Sequence, residues 1–182
     1  MPSEPPERRP LHVVIMGVAG CGKSVVGAEL RSRLALPLVE GDNFHPPSNI
    51  QKMRDGIALT DEDRAEWLQE LGRQLRALPA GAVLTCSALR RSYREVLRNA
   101  VPELHFVHLS LSAHQALERV AARTDHFYPP SLVASQFSTL EDPAGEPRVH
   151  VADATLHVDR IVEAAARWLE GSARSTMRNA LR

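Results

Sequence analysis

Gly17-Val18-Ala19-Gly20-Cys21-Gly22-Lys23-Ser24 is the stretch of sequence that decides the fold of this chain. It fits the pattern GxxxxGK[ST], directly after the apolar run Leu11–Met16 and directly before a helical pattern that begins at Ser24. Glycines let such a loop turn tightly, so that its backbone N–H groups and the positive end of the following helix converge on phosphate oxygens. The stretch therefore predicts a site for a nucleoside triphosphate.

All eight residues of this loop are predicted to bind the nucleotide, and two of them have further roles. Lys23 is expected to reach the β- and γ-phosphates as a catalytic residue, and the Ser24 hydroxyl is expected to ligate Mg²⁺. The same loop serves GTPases, motor ATPases and small-molecule kinases. The sequence lacks the NKxD motif that reads guanine, and it is short for a large ATPase.

Two polar insertions favour a small kinase. One follows the second predicted strand and the other follows the predicted helix Ala113–Ala122, and they suit an acceptor pocket and a closing lid. Either insertion also fits an ordinary surface loop.

Short apolar runs alternate with helical periodicity along the chain. The predicted strands are Leu11–Met16, Pro37–Glu40, Ala82–Cys86, Leu104–Leu109 and Arg148–Ala152. The predicted helices are Ser24–Leu34, Asp61–Leu78 with Thr60 as its N-cap, Arg91–Asn99, Ala113–Ala122 and Asp159–Glu170. This alternation is typical of an α/β fold in which helices cover both faces of a parallel sheet, with the site at the carboxyl ends of the strands.

Composition limits what the chain can bind. The chain has 182 residues, of which 22 are Lys or Arg and 22 are Asp or Glu. Apolar residues make up 43% of the chain. We expect one folded domain over residues 11–170, between a disordered Pro-rich leader, 1–10, and a flexible tail, 171–182.

Zero net charge argues against a nucleic-acid partner, and no run reaches the ~20 apolar residues of a membrane span. No signal peptide is visible, so we expect a cytoplasmic protein in which Cys21 and Cys86 are free thiols.

The segment after the second predicted strand carries a longer signature. Residues 40–68 read EGDNFHPPSNIQKMRDGIALTDEDRAEWL, and three further strings follow: CSALRRSYR at 86–94, HF at 126–127 and SQFSTLE at 135–141. Together they closely resemble the gluconokinase family over residues 13–169. Adenylate and shikimate kinases share the phosphate loop and the general layout but not these strings.

The resemblance implies an activity and an architecture. The activity is ATP-dependent phosphorylation of D-gluconate at its 6-hydroxyl, which gives 6-phosphogluconate and ADP and feeds gluconate into the pentose phosphate or a related pathway. The implied fold is that of the nucleoside-monophosphate kinases, a P-loop NTPase fold with a five-stranded parallel sheet in the order 2-3-1-4-5, a lid at about residues 123–137, and commonly a homodimer. Arg119 and Arg123 would reach the triphosphate from the lid region as catalytic residues, and Arg119 would also bind the nucleotide. Asp125 stands where the family usually has Gly, which predicts a stiffer lid hinge or an anion near the phosphates.

The acceptor site can be assigned in outline. A primary hydroxyl is a weak nucleophile at neutral pH, so Asp42 is our candidate to orient it and accept its proton. Arg64 is the candidate partner of the gluconate carboxylate. The other candidate substrate-binding residues are His45, Asn49, Lys52, Ser87, Arg90 and His126. Capping or surface ion pairing is the alternative role for Arg64, His45, Asn49 and Lys52.

Four nearby residues are given other roles. Glu40 points away from Asp42 and suits either support of the metal or a structural acid. Trp67 lies on the apolar stripe of its predicted helix and is expected in the core rather than as a platform for a sugar. Arg94 and Arg98 are expected on a solvated helix face.

Overall fold

A computed structural model describes residues 10–123 and 128–180, and of residues 173–180 it describes the backbone alone. Its five strands form one parallel sheet in the order β2-β3-β1-β4-β5. The strands are β1 (Leu11–Met16), β2 (Leu38–Glu40), β3 (Gly81–Thr85), β4 (His105–Ser110) and β5 (Val149–Asp153). The predicted fold class and strand order are confirmed.

Seven α-helices and two short 3₁₀ turns connect the strands in the described part of the chain. The helices are α1 (Lys23–Leu34), α2 (Pro47–Arg54), α3 (Asp61–Arg76), α4 (Arg91–Ala100), α5 (Ala113–Ala121), α6 (Val133–Thr139) and α7 (Val158–Ala180). The 3₁₀ turns cover Gly41–Phe44 and Pro130–Leu132. None of the helices among residues 10–123 and 128–180 has the length and apolar character that a bilayer crossing needs.

The central strand β1 divides the core into two layers. Val13 and Ile15 pack with α1 and α7 on one face of the sheet, whereas Val14 and Met16 pack with α3 and α4 on the other. Successive side chains of a strand point to opposite faces, so a continuous apolar strand is what a sheet covered on both sides requires. Ile15 and Glu40 both lie opposite Thr85, which brings the carboxyl ends of three strands to one edge.

Three helical segments differ from the sequence prediction. The polar stretch after β2 contains α2, which starts with Pro47 at its first position, and the expected lid contains α6. The last helix was predicted to end at Glu170, but α7 continues to Ala180. Ala, Ser, Arg and Met all tolerate a helix, and no proline follows Gly171 to stop it. Flexibility of the tail stays a prediction, and the leader, residues 1–9, lies outside the described residues.

The predicted position of Arg94 and Arg98 on a solvated face is wrong. Arg94 is fully buried: its Nη2 pairs with Glu146 Oε1 at 2.6 Å, and its Nη1 donates to the carbonyls of Ala88 and Leu89 at 2.8 and 2.9 Å. Arg98 Nη1 pairs with the other oxygen of Glu146 at 2.9 Å. Burial of these charges is possible because the carboxylate and the carbonyls satisfy the guanidinium donors.

This ion-pair network ties α4 to the segment that follows α6. Glu146 belongs to that segment, and burial and two arginines act on it in opposite directions, with a net lowering of its pKa. Glu141, in the same segment, also contacts α4: its carboxylate accepts a hydrogen bond from the N–H of Arg91 at 2.6 Å. The segment just after the expected lid, residues 141–146, is therefore anchored to α4. The Glu141 N–H also donates to the Leu89 carbonyl at 2.9 Å, in the loop that carries Ser87.

The two cysteines are buried free thiols, as predicted. Cys86 lies just beyond β3, and burial raises its pKa to about 12. Burial also raises the pKa of Cys21, which lies inside the phosphate loop. Neither thiol is thereby activated as a nucleophile.

Candidate active site

The phosphate loop spans the gap between β1 and α1. Gly17, Gly20 and Gly22 have φ angles of +142°, +82° and +98°. A Cβ at Gly17 would lie 2.8 Å from the Leu109 carbonyl oxygen, so a larger residue at that position would displace the backbone. Gly22 caps α1 without a side-chain hydrogen bond, which leaves the N–H groups of the first turn available to an anion.

Lys23 extends back across its own loop. Its Nζ donates to the carbonyl oxygens of Gly17 and Val18, both at 3.1 Å. The ammonium group therefore lies beside the loop's concave side, where phosphate oxygens would meet it.

Hydroxyl and carboxylate oxygens meet beside the first turn of α1. Ser24 Oγ donates to Glu40 Oε2 at 3.1 Å, and Thr85 Oγ1 donates to the same oxygen at 2.6 Å. Thr85 Oγ1 in turn accepts the Gly41 N–H at 3.2 Å. Mg²⁺ prefers oxygen ligands and commonly takes one or two protein groups together with phosphate and water, so this set suits it. No cluster of three or more His, Cys, Asp or Glu side chains with metal-binding geometry occurs in residues 10–123 and 128–180.

One open cleft joins the phosphate loop to the acceptor side. Ten of the predicted site residues line it, and they come from the loop, the 3₁₀ turn after β2, α3, the end of β3 and the lid region. These ten are Ala19, Gly20, Gly22, Lys23, Ser24, Asp42, His45, Arg64, Ser87 and Arg123.

Asp42 and Arg64 form the charged groups of the acceptor side. Asp42 lies in the 3₁₀ turn, one residue beyond Gly41. Arg64 is 9% exposed, and its Nη1 donates to the carbonyls of Leu59 and Thr60 at 2.5 and 3.3 Å. These two hydrogen bonds fix one edge of the Arg64 guanidinium to the backbone that precedes α3. They thereby hold its positive charge at the cleft.

His45 faces the same cleft as an uncharged ring. Burial lowers its pKa from 6.5 to about 4; the nearby Asp42 carboxylate opposes this shift and Arg64 adds to it. Its Nδ1 is buried and has no hydrogen-bond partner among the described residues. A neutral imidazole offers one donor and one acceptor, which suits the hydroxyl groups of a substrate.

Three predicted substrate-binding residues lie outside the lining of the cleft. Asn49 is 3% exposed, and its Nδ2 donates to the Asp63 carbonyl at 2.7 Å. Lys52 pairs with the Asp63 carboxylate at 2.7 Å, and Arg90 pairs with Asp61 at 2.8 Å. These contacts brace the start of α3, where Thr60 and Asp63 form the N-terminal capping box. Direct contact of these three residues with substrate stays a prediction.

The remaining predicted residues surround the cleft or fall beyond the description. Gly17, Val18 and Cys21 belong to the phosphate loop but do not line the cleft, and the side chains of Val18 and Cys21 are buried. Arg119 Nη1 donates to the Gly20 carbonyl at 3.5 Å and its Nη2 to the Ala154 carbonyl at 2.9 Å, so it lies against the loop's outer side. His126 and Asp125 lie outside the described residues.

Sequence reasoning missed most of the apolar lining and one polar contact. Met53, Leu59 and Leu132 form a small hydrophobic cluster against which Tyr128 packs, and it joins the acceptor side to the lid region across the cleft. Gln136 Oε1 accepts the Ala19 N–H at 2.6 Å. The sequence signal for these residues was limited to membership of the quoted strings: Met53 and Leu59 lie within 40–68, and Gln136 lies within SQFSTLE.

Comparisons with known proteins agree with this geometry. The chain is 44% identical over 166 residues to a gluconokinase of Gluconobacter oxydans (strain 621H), covering 89% of this chain and 93% of that protein. It is 38% identical over 136 residues to the thermosensitive gluconokinase of Escherichia coli (strain K12), covering 73% of each. A crystal structure of a gluconokinase from Sinorhizobium meliloti 1021 matches with a TM-score of 0.86 at 43% identity, over 94% of this chain and 98% of that one. No protein-family model matches the chain.

The sheet order, the phosphate loop after the central strand and the acid-bearing cleft beside it define a P-loop kinase of the nucleoside-monophosphate-kinase type. Within that class, the chain belongs to the gluconokinase family. It is a phosphotransferase with an alcohol group as acceptor. The resemblance drawn from the sequence motifs is confirmed at the level of family and fold.

Proposed function

We propose that this protein transfers the γ-phosphoryl group of ATP to the 6-hydroxyl of D-gluconate, giving 6-phosphogluconate and ADP. The observation that carries the proposal is that one cleft holds Lys23 of the phosphate loop together with Asp42 and Arg64 of the acceptor side. The site for a sugar acid needs a cation to pair with the substrate carboxylate and a group to accept the proton of the reacting hydroxyl. Arg64 supplies the cation and Asp42 accepts the proton.

On the nucleotide side, the loop amides and the N-terminus of α1 bind the phosphates. Lys23 leaves its two carbonyl partners for the β- and γ-phosphate oxygens, since charge-assisted bonds are stronger than those to neutral carbonyls. Ser24, supported by Glu40, would hold Mg²⁺, and the bound ion would supply neutralisation of phosphate charge. Arg123 lines the same cleft and is placed to stabilise negative charge on the transferred group.

On the acceptor side, Arg64 binds the gluconate carboxylate and His45 and Ser87 bind hydroxyl groups. The Asp42 carboxylate orients the 6-hydroxyl and receives its proton as the bond from that oxygen to the γ-phosphorus forms. The bond from the γ-phosphorus to the bridging oxygen breaks at the same time, and ADP leaves with the electron pair. Positioning and charge stabilisation account for most of the catalysis in such a transfer.

A coupled ADP-release assay tests the proposal. Gluconate, shikimate, other sugar acids and nucleoside monophosphates are compared as acceptors, with ATP and Mg²⁺ at saturation. We expect turnover with gluconate and a product whose C6 resonance shows coupling to phosphorus. Clear ATP binding without gluconate-dependent ADP release would contradict the function, whereas a phosphate on another carbon would contradict only the 6-position.

Three further properties belong to the proposal. Gluconate phosphorylation would feed the pentose phosphate or a related pathway from the cytoplasm, and the enzyme would act as a homodimer. Light scattering during size-exclusion chromatography measures the mass directly, and a mass near 20.1 kDa would identify a monomer instead.

A further inference from the structure

Trp67 contacts both ends of the turn that carries Asp42. Its Nε1–H donates to the Gly41 carbonyl at 2.8 Å. Its ring stacks on His45, with the ring centroids 4.0 Å apart and the planes 17° from parallel. Asp42 lies between these two attachment points, so one side chain of α3 borders the whole turn.

Apart from Trp67, the turn is held at its two end residues: Phe44 packs against the core layer under α3 and α4, and Gly41 is fixed by the end of β3. Its first residue, Gly41, lies against the end of β3, where a Cβ would overlap the Thr85 carbonyl oxygen, and its N–H donates to Thr85 Oγ1. No side chain caps the 3₁₀ turn. The indole N–H thus supplies the side-chain hydrogen bond to the Gly41 carbonyl, immediately before the Asp42 residue.

The stack also sets the orientation of the His45 ring. An offset aromatic stack restricts the plane of both rings. His45 is the neutral ring described above, and the charged groups that act on it are Asp42 and Arg64. A ring held in one plane presents its nitrogen atoms to the cleft in a defined direction, which matters for hydrogen bonds that weaken steeply with angle.

We propose that Trp67 is a positioning residue of the acceptor site, which sets where the Asp42 carboxylate and the His45 ring meet the hydroxyl groups of the substrate. The proposal deepens the proposed function and rests on it for the nature of the acceptor. Trp67 is 1% exposed and belongs to the core layer under α3 and α4. The competing interpretation is therefore that it only fills the core.

The chain offers a control for that interpretation. Trp168 on α7 also stacks with a histidine, His150, at 5.3 Å, and makes an edge contact with His105 at 5.4 Å. It packs against the other core layer and does not line the cleft. Trp67→Phe and Trp168→Phe therefore remove the same group from a buried and a half-buried position that each pack against a core layer. Only the first variant also loses the bond to Gly41.

The kinetic test compares these variants at equal fractions of folded protein. For Trp67→Phe we expect kcat/KM for gluconate to fall about 10- to 100-fold, because displacements near 1 Å in a reacting group have effects of that size. We expect the KM for ATP to stay within about 2-fold, and Trp168→Phe to leave both constants within about 2-fold. Equal kinetic effects in the two variants, or a change in thermal stability alone, would overturn the proposal.

A second measurement does not depend on the acceptor. The His45 ring is followed by NMR between about pH 5 and 7.5 in the absence of substrate. We expect it to stay neutral in the wild type and in Trp168→Phe, and to titrate closer to 6.5 in Trp67→Phe, where the looser ring gains solvent. An unchanged titration in Trp67→Phe would overturn the proposal. If the wild type fails to phosphorylate gluconate, the proposed function fails while this measurement still decides the role of Trp67.

A third measurement applies if Trp67→Phe does not fold. The sequence has two tryptophans, so Trp168→Phe leaves Trp67 as the single indole emitter. Gluconate alone is expected to shift its emission, and a non-hydrolysable ATP analogue alone is not. Emission that responds to the analogue but not to gluconate overturns the proposal.

Discussion

Gln136 Oε1 accepts the backbone N–H of Ala19 at 2.6 Å, which joins α6 to the phosphate loop across 117 positions of sequence. Both residues line the cleft. The neutral amide oxygen of Gln136 thus accepts a hydrogen bond from one of the loop N–H groups. It does so without placing a negative charge where the phosphates bind.

Gln136→Glu should therefore weaken nucleotide binding. The carboxylate can accept the same N–H, but its charge repels the polyphosphate at short range. We expect the KM for ATP to rise about 10-fold or more, with a smaller effect at high salt. Gln115→Glu is the control, because Gln115 also accepts a backbone N–H, that of Ser112, in the capping box of α5. Equal ATP constants for Gln136→Glu and the wild type would contradict this role of the contact.

Lys23→Ala should lower kcat by about two to three orders of magnitude, because it removes a cation placed to stabilise charge on the transferred phosphate. The fold should survive, since Lys23 lies on the loop surface and its two partners are loop carbonyls. Steady-state kinetics and thermal melting check both parts. Near-normal turnover in a folded variant would be incompatible with the assigned role of the phosphate loop.

Asp42→Asn should depress kcat about 10²- to 10⁴-fold, the range that a positioned general base contributes. The amide has the same shape but does not take up the proton of the hydroxyl, so the KM for ATP should change little. Asp55→Asn serves as the control, because Asp55 is exposed and accepts bonds from Gln51. If both variants turn over at the same rate, Asp42 has only a packing or positioning role.

Acidification below about pH 6.5 should destabilise the fold. Burial lowers the pKa of His45, His105, His108 and His150, so between the folded and unfolded pKa values the unfolded chain binds more protons. This stability is fully present above the unfolded value, near 6.5, and is lost as the pH falls through the window below it. Melting temperatures from about pH 7.5 to 5 measure the effect.

The variant His105→Gln/His108→Gln separates this effect from carboxylate titration. It should lose less stability than the wild type over the same pH range, because two of the four buried or half-buried histidines no longer titrate. The Glu146 network responds at lower pH, since burial and its two arginine partners leave the Glu146 pKa below its ordinary value. A wild-type melting temperature that is constant or rises on acidification contradicts the prediction.

Much of the fold could be predicted because its signals are local. The glycines of the phosphate loop, the apolar run of β1 and the capping box at Thr60 each act within a few residues. The start of α3 is confirmed as predicted, and the strands agree to within about one residue. The sequence missed α2 and α6, whose short polar stretches carry little periodic signal and are stabilised by tertiary contacts.

The candidate site likewise has some residues that local sequence signals predict and others that only tertiary contacts bring into place. From the sequence alone it follows that a phosphate loop precedes a helix and that Asp42 comes just after the second strand. Parallel strands end at one edge of the sheet, so the two belong to the same site. Only the tertiary structure decided that Arg94 is buried, that Gln136 meets Ala19 and that Trp67 spans the turn of Asp42. Each of these depends on a partner distant in sequence, and such a partner leaves no local pattern: burial of a charge or an indole depends on which donors and acceptors the completed fold brings within reach.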